Sequence, residues 1–222
     1  MSEQGQALTI DIVSDVVCPW CYLGKRRLAQ ALAGEQREEI AVRWRPYQLD
    51  PSIPPGGLER KAYLRNKFGD DGRLETAHER LRRLGGEEGI AFAFDKIERA
   101  PNTLDAHRLI RWASAAGVQD EIVERLFRLY FEEGRDIGDR QLLVEAAREA
   151  GMGSMAVEER LSEGVDEKEV RREIAQAQSL GVTGVPFFIF ASRFGVPGAQ
   201  GADVLAKAIE QARKSLGGVE AA

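Results

Sequence analysis

The sequence has 222 residues, of which 43% are hydrophobic and 30% are charged, a composition that excludes disordered, collagen-like and disulfide-scaffold proteins. Its 31 basic and 36 acidic side chains give a formal net charge of −5, so nucleic acid is not expected as a partner, because phosphate binding needs a concentrated basic face. This length predicts one large domain, or one domain that carries a sizeable insertion.

The first predicted elements form a strand–helix–strand unit. Residues 9–13 alternate and are rich in β-branched side chains, which is typical of a strand. A helical spacing of apolar residues then begins at the Cys-Pro-Trp-Cys sequence of residues 18–21. Residues 40–47 alternate again, as a second strand would, and the prolines and glycines at 51–57 end the unit.

Residues 57–181 show almost entirely helical periodicity and supply the candidate domain boundaries. Amphipathic helices are predicted at 104–113, 122–130 and 142–150. Gly134 and Gly151 are predicted stop signals for two of them. Asp166 and Glu169 have the spacing of a capping box for a last helix.

The chain beyond residue 181 returns to a mixed pattern. A strand at 187–190, a partner strand at 193–196 and a final amphipathic helix at 203–216 are predicted there. The predicted fold class is therefore α/β, with one small domain made of residues 1–56 and 182–222 and interrupted by a large all-helical insertion at 57–181.

No basic and apolar run precedes the first predicted strand, so no secretory signal is visible and we expect a cytoplasmic protein. The longest uncharged stretch, residues 174–192, contains glycines, a proline and polar residues, so we expect no transmembrane helix and no membrane partner. In a reducing compartment structural disulfides are rare, and a close pair of cysteines indicates redox chemistry or a metal site instead.

Cys18 and Cys21 are the candidate catalytic residues. Between a strand and a helix, the first sulfur lies at a helix N-terminus, where unpaired N–H groups stabilise a thiolate. We predict that Cys18 is an accessible nucleophile and that Cys21, one helical turn away, resolves the mixed disulfide. Pro19 suits the first helical turn, where no N–H is required.

Three other interpretations of the cysteine pair remain open: buried unreactive thiols, half of a zinc site, and a chance spacing. Zinc would need further ligands, and His78 and His107 are the only histidines. Their separation does not match a zinc finger. We therefore predict no metal site and expect both histidines to be surface or packing residues.

Val185-Pro186, directly before the late strand, is the second functional feature. A proline at the head of a central strand is awkward unless its peptide bond is cis, which would turn the backbone of Val185 outward. Such a residue could pair with an extended peptide or a thiol compound that lies across the sulfur. The alternative is an ordinary trans proline that begins a strand.

Taken together, the Cys-Pro-Trp-Cys sequence after the first strand, the long helical insertion and the Gly-Val-Thr-Gly-Val-Pro sequence at 181–186 resemble the cytoplasmic DsbA-like oxidoreductases of the FrnE type, in the thioredoxin superfamily. The resemblance covers nearly the whole chain, including residues 101–107 and 198–200. It implies a thioredoxin fold, Cys18 as attacking thiolate, Cys21 as resolving thiol and Pro186 as the cis-proline beside them.

The predicted function is a thiol:disulfide oxidoreductase that acts on a disulfide-containing protein or on a small-molecule thiol or disulfide. Pro19, Trp20, Val185 and Pro186 are the predicted substrate-binding residues. No metal or organic cofactor is required, although glutathione could act as a co-substrate. Trp20 stands where periplasmic DsbA-like oxidants carry histidine, and because an indole has no positive charge we expect weaker thiolate stabilisation.

Two alternatives come from other classes. Kappa-class glutathione transferases and 2-hydroxychromene-2-carboxylate isomerases share the interrupted architecture but usually have serine at the position of Cys18. Under that alternative the protein is a glutathione-dependent isomerase or transferase for a small aromatic or polyketide-like compound, and Gly201, Ala202 and Asp203 hold glutathione at a helix start. Otherwise Asp203 is only an acidic first-turn residue. The last alternative is a non-catalytic binding module with unreactive thiols.

Overall fold

The computed structural model describes residues 7–35 and 39–217. In chain order its elements are β1 (Leu8–Ser14), α1 (Pro19–Ala31), β2 (Ile40–Pro46), β3 (Leu58–Glu59), α2 (Arg60–Phe68), α3 (Arg73–Glu87), a turn of 3-10 helix (Phe94–Lys96), β4 (Arg99–Ala100), α4 (Leu104–Ala115), α5 (Gln119–Phe131), α6 (Arg140–Glu149), α7 (Ser154–Ser162), α8 (Glu167–Ser179), β5 (Phe187–Phe190), β6 (Phe194–Pro197) and α9 (Ala202–Gly217). The strands and helices predicted from the sequence at both ends of the chain are all present.

A four-stranded sheet in the order β2-β1-β5-β6 joins the two ends of the chain. β2 runs parallel to β1, whereas β5 is antiparallel to both β1 and β6. Ile12 of β1 therefore lies opposite Trp44 on one side and Phe188 on the other. Parallel pairing of β1 with β2 requires the crossover that α1 provides.

The two faces of the sheet pack against different helices, because side chains alternate along each strand. Ile10 and Ile12 of β1 share a buried cluster with Phe188 and Phe190 of β5 and with apolar residues of α1 and α9. Val13 faces the other way and packs with Tyr47, Ala177 and Val182. This layered α/β arrangement is a thioredoxin fold that carries a helical insertion, as predicted.

The insertion differs from the all-helical prediction in one detail. Leu58 and Glu59 pair antiparallel with Ala100 and Arg99 in a two-residue ladder. Strands this short have no periodicity that a sequence could show, and they bring the start of α2 beside the chain that follows the 3-10 turn. The division of the chain at 56/57 and 181/182 into domain parts stays a prediction.

The start of α8 also differs from the prediction. Asp166 precedes the helix, but it has a left-handed conformation with φ of 61°, and its side chain makes no capping hydrogen bond. Its carboxylate instead accepts a hydrogen bond from Trp112 Nε1 at 2.9 Å. The predicted capping box with Glu169 is therefore wrong, because a tertiary partner in α4 takes the carboxylate.

Candidate active site

The two cysteines lie at the first turn of α1, directly after β1. Cys18 is the N-cap residue in an extended conformation, and Pro19 follows at the first helical position, as predicted. The backbone N–H of Cys18 donates to Asp15 O at 2.9 Å, and that of Cys21 donates to Cys18 O at 3.0 Å. The loop thus fixes Cys18 at the positive end of the α1 dipole, with Cys21 in the same turn.

The sulfur-bearing residues are less accessible than the sequence predicts. Cys18 is 3% exposed and Cys21 is 1% exposed, so the expectation of an uncovered nucleophile is wrong for the residue as a whole. Cys18 nevertheless lines a cavity, whereas Cys21 does not. Burial, together with the adjacent Cys18, raises the pKa of the Cys21 thiol well above its usual range. The pair therefore consists of one thiol that meets the cavity and one that is sealed behind it.

Val185 and Pro186 lie against the cysteine turn. The peptide bond between them is cis, and the Cys18 thiol donates to Val185 O at 3.5 Å. Gly24 of α1 makes this close approach possible, because a Cβ on residue 24 would lie 3.1 Å from Pro186 Cγ and equally close to the Phe188 ring. A glycine inside a predicted helix is the sequence signal for this contact, and it was not among the predicted site residues.

A cavity of about 610 Å³ opens beside Cys18, between the cysteine turn and the insertion. Three of the predicted substrate-binding residues, Pro19, Trp20 and Val185, line it, while Pro186 does not. The remaining walls come mainly from the 49–53 segment, α2, α3, the 3-10 turn and the end of α5. The insertion residues that form these walls are not predictable from the sequence, because helical periodicity marks core faces rather than cavity walls.

Trp20 has no charge of its own, but a cationic side chain of the insertion lies over its ring. The guanidinium of Arg80, on α3, lies 5.6 Å from the centroid of the Trp20 ring. This is the distance range of a cation–π contact. A positive charge therefore lies next to the residue between the two cysteines, and it is supplied by an insertion side chain and not by the Cys-Pro-Trp-Cys sequence itself.

Asp15, next to the cysteine loop, lines the cavity although it was not among the predicted site residues. It is 1% exposed, and its carboxylate accepts a hydrogen bond from Leu49 N–H at 2.8 Å. His107 Nε2, from α4, lies 3.4 Å from the other oxygen. A buried carboxylate needs such partners, since an unpaired one would be costly. His107 is thus a packing residue, as expected, but one with a polar partner at the site.

His78 is the other histidine and also lines the cavity. Its ring stacks on Phe94 with centroids 4.1 Å apart, so it too is a packing residue. Burial, followed by the nearby guanidinium groups of Arg60 and Arg82, lowers the pKa of His78. Within residues 7–35 and 39–217, no group of three or more His, Cys, Asp or Glu side chains is placed to hold a metal ion.

Gly201, Ala202 and Asp203 lie at the start of α9, where Gly201 O accepts the N–H groups of Val204 and Leu205 at 3.1 Å. None of these three residues lines the cavity beside Cys18. The predicted role of this segment in holding glutathione stays a prediction.

In the described part of the chain, no helix has the length and apolar character needed to cross a membrane.

Comparisons with known proteins bear on the whole chain. The sequence profile of DSBA-like thioredoxin domains matches residues 9–210. The crystal structure of a probable DsbA oxidoreductase from Streptomyces coelicolor superposes with a TM-score of 0.85 and 32% identity, covering 93% of this chain and 90% of that one. A cytosolic disulfide reductase, DsbM from Pseudomonas aeruginosa, solved with GSH, superposes with a TM-score of 0.68 and 20% identity over 93% and 99% of the two chains. An uncharacterized Bacillus subtilis protein, YwbO, is 27% identical over 209 residues, covering 92% of this chain and 97% of its own.

Proposed function

This chain belongs to the family of DSBA-like thioredoxin domains, and from that premise we propose that it is a thiol:disulfide oxidoreductase whose exchanging residues are Cys18 and Cys21. The observation that carries the proposal is the cysteine turn itself. Cys18 caps α1 and lines a cavity, with Cys21 in the same helical turn behind it. A buried sulfur that meets the cavity and a second sulfur sealed behind it suit the attacking and resolving roles, respectively.

The reaction proceeds in two exchanges. The Cys18 thiolate attacks one sulfur of a substrate disulfide, forms a mixed disulfide and releases the other substrate sulfur as a thiolate. The Cys21 sulfur, after losing its proton, then attacks Cys18 Sγ and releases the second substrate thiolate. Two electrons pass from the dithiol to the substrate, and the protein is left with a Cys18–Cys21 disulfide. The reverse sequence oxidises a substrate dithiol.

Substrate contacts are proposed for the residues around Cys18. Pro19, Trp20 and Val185 line the cavity, which supports a role for them in holding the bound disulfide. Val185 O, which accepts from the Cys18 thiol at 3.5 Å, is available to a substrate N–H once Cys18 has formed the mixed disulfide. Pro186 does not line the cavity. We propose that it positions Val185, because it directly follows Val185 and packs against α1 beside Gly24.

The proposal includes no resident metal or organic cofactor. The partner is a disulfide-containing protein or a small-molecule thiol or disulfide, and glutathione or a dithiol reductant returns the pair to its starting state. We place this activity in the cytoplasm, where low-molecular-weight thiols supply the reducing electrons. The cytosolic disulfide reductase DsbM, with its bound GSH, supports that assignment by similarity of fold.

Single cysteine variants test the mechanism. We expect Cys18→Ser to abolish exchange with a disulfide-bonded model peptide, because the attacking sulfur is gone. Cys21→Ser should accumulate a mixed disulfide on Cys18, which intact-protein mass spectrometry would detect. The double variant is the control for non-specific adducts. Unchanged turnover in Cys18→Ser would refute the assignment.

A glutathione-dependent isomerase or transferase is the second candidate, and the cavity favours it because its volume suits a small molecule. Under that candidate, turnover of a small aromatic substrate requires glutathione and survives Cys21→Ser. The thiol burial favours the third candidate, a binding module. Reaction with a thiol reagent separates it from the enzymes: a module would react only in denaturant, whereas reaction of Cys18 in the native protein supports chemistry.

A further inference from the structure

The cavity beside Cys18 has the dimensions of a small-molecule site. Its volume of about 610 Å³ lies within the range of pockets that enclose drug-sized ligands, and it is bounded by the insertion helices α2 and α3. Cys18 lines this cavity, so a compact compound bound there would meet the Cys18 sulfur.

The cavity walls are predominantly apolar and aromatic. They include Leu64 and Phe68 of α2, Leu81 of α3, and Phe94 and Phe131. Phe68 is 48% exposed, and Leu49, which also lines the cavity, is 43% exposed. Large apolar side chains with this much exposure mark a surface that an apolar ligand can cover. An aromatic or otherwise apolar ligand body fits these walls.

Most of the charged groups around the cavity already have partners. The Asp50 carboxylate accepts from Tyr63 at 3.0 Å and pairs with Lys67 at 3.3 Å. Arg73 pairs with Asp71 at 2.6 Å, outside the cavity. The buried carboxylate of Asp15 has its own partners in Leu49 N–H and His107. These groups therefore leave little unbalanced charge.

Arg60 is different from the other cations of the cavity. Over residues 7–35 and 39–217, no carboxylate oxygen lies within 4.0 Å of its guanidinium nitrogens. One nitrogen donates to Phe94 O at 3.3 Å, and the group lies 6.0 Å from the Phe94 ring centroid. The backbone of Arg60 is held by Glu98 O at 2.9 Å, beside the β3–β4 ladder. The Tyr130 side chain, which also lines the cavity, is a further hydrogen-bonding neighbour of Arg60. A guanidinium has five N–H donors, so an Arg60 held in this way in an apolar cavity, with no carboxylate partner among the described residues, is suited to bind a carboxylate.

We propose that this cavity binds a small organic disulfide, or the matching thiol, that combines an aromatic or apolar body with a carboxylate, and that Arg60 binds the carboxylate while Cys18 meets the sulfur. The inference rests on the proposed function and names its substrate class. The Cys18 thiolate forms an S–S bond to one substrate sulfur and the substrate S–S bond breaks. Cys21 then displaces the second thiol, so one disulfide is reduced to two thiols as the dithiol becomes a disulfide.

The test uses two aromatic disulfides that differ in charge. Dithiobis(nitrobenzoic acid) carries a carboxylate on each ring, whereas dithiodipyridine carries none. Stopped-flow rate constants for the reduced protein are divided by those of free cysteine with the same reagent, which removes the difference in intrinsic reactivity. We expect the ratio of the two normalised constants to fall about tenfold or more in Arg60→Gln, the order expected on losing a charge-assisted hydrogen bond.

Matched variants keep the result interpretable. Arg65→Gln removes a charge from the same helix, where Arg65 pairs with the exposed Asp70 and does not line the cavity, so the ratio should stay within about twofold of the wild type. Arg60→Lys retains the charge without the planar fork, should give an intermediate ratio, and serves if Arg60→Gln fails to fold.

Each outcome decides a separate question. Equal effects of Arg60→Gln on both reagents, or no effect on either, would overturn the inference while leaving the oxidoreductase proposal standing. A higher normalised rate for an unstructured disulfide-bonded peptide than for the dicarboxylate would overturn it too, in favour of a peptide substrate. Undiminished reaction of Cys18→Ser with every reagent would instead refute the oxidoreductase proposal itself.

Discussion

At Cys21, burial and the neighbouring sulfur act in the same direction on the thiol. Both raise its pKa, and the Ser14 hydroxyl and the backbone of Asp15 oppose them less strongly. The Cys18 contribution changes when Cys18 enters a mixed disulfide, but the burial remains. Cys21 is therefore protonated at neutral pH, and under the proposed mechanism its attack on the mixed disulfide would be limited by the small fraction of thiolate.

We predict that resolution of the mixed disulfide accelerates as pH rises, by up to about tenfold per pH unit while the pH stays below the Cys21 pKa. Acid quenching followed by mass spectrometry, from about pH 6 to about pH 9, would measure the decay of the Cys18 adduct. In Cys21→Ser the adduct should persist across the whole series. A decay rate in the wild type that does not change with pH would contradict the burial argument.

The sequence could identify the residues of the site that are close along the chain, and it could not identify those that packing brings in. Cys18, Cys21 and the Val185-Pro186 pair follow from local patterns. Asp15, by contrast, looks like any loop aspartate until His107 is found 3.4 Å away. Arg60 is one of many arginines in amphipathic helices, and the fact that no carboxylate of the described residues pairs with it is a tertiary property.

Two glycines that follow helices show that the sequence predicts where a helix ends but not what the glycine packs against. Gly134 and Gly151 follow α5 and α6, and both have left-handed backbones, with φ of 73° and 79°. The sequence predicted both stop signals correctly. Their surroundings differ, however: a Cβ on residue 134 would lie 2.5 Å from Lys96 O, whereas a Cβ on residue 151 would meet nothing within 4 Å.

We therefore predict that Gly134→Ala destabilises the protein much more than Gly151→Ala. Each change costs ~1 kcal/mol for an alanine in the left-handed region. Gly134→Ala adds ~1–3 kcal/mol because the backbone of Lys96, in the turn that carries Phe94, must move. Urea unfolding of both variants would measure the difference in the free energy of unfolding. Equal losses would show that the contact with Lys96 has no energetic weight.

Over the whole molecule, the sheet and the insertion share one hydrophobic core. A single cluster of buried side chains runs from Ile10 and Phe188 in the sheet, through Tyr22 of α1, to Leu109 of α4 and Leu143 of α6. The interrupted sequence suggests two parts, since periodicity shows where elements begin and end but not which apolar faces meet. A continuous core gives neither part an independent interior.

We predict that the protein unfolds in one cooperative transition. Circular dichroism, dominated by the helices of the insertion, and fluorescence of Trp44, Trp20 and Trp112 should give the same midpoint on heating. The calorimetric and van't Hoff enthalpies should also agree. Two separated transitions would contradict the shared core and would support an insertion that folds on its own.

Tyr22, the residue after Cys21, makes it difficult to remove the insertion and keep a smaller functional protein. Its ring stacks on Phe127 of the insertion at 4.9 Å, and its hydroxyl donates to Glu132 at 2.8 Å. Cutting out the inserted segment would leave that ring, and the helix that carries the two cysteines, facing water. A shortened version would need a redesigned surface on α1 before its chemistry could be compared with that of the parent.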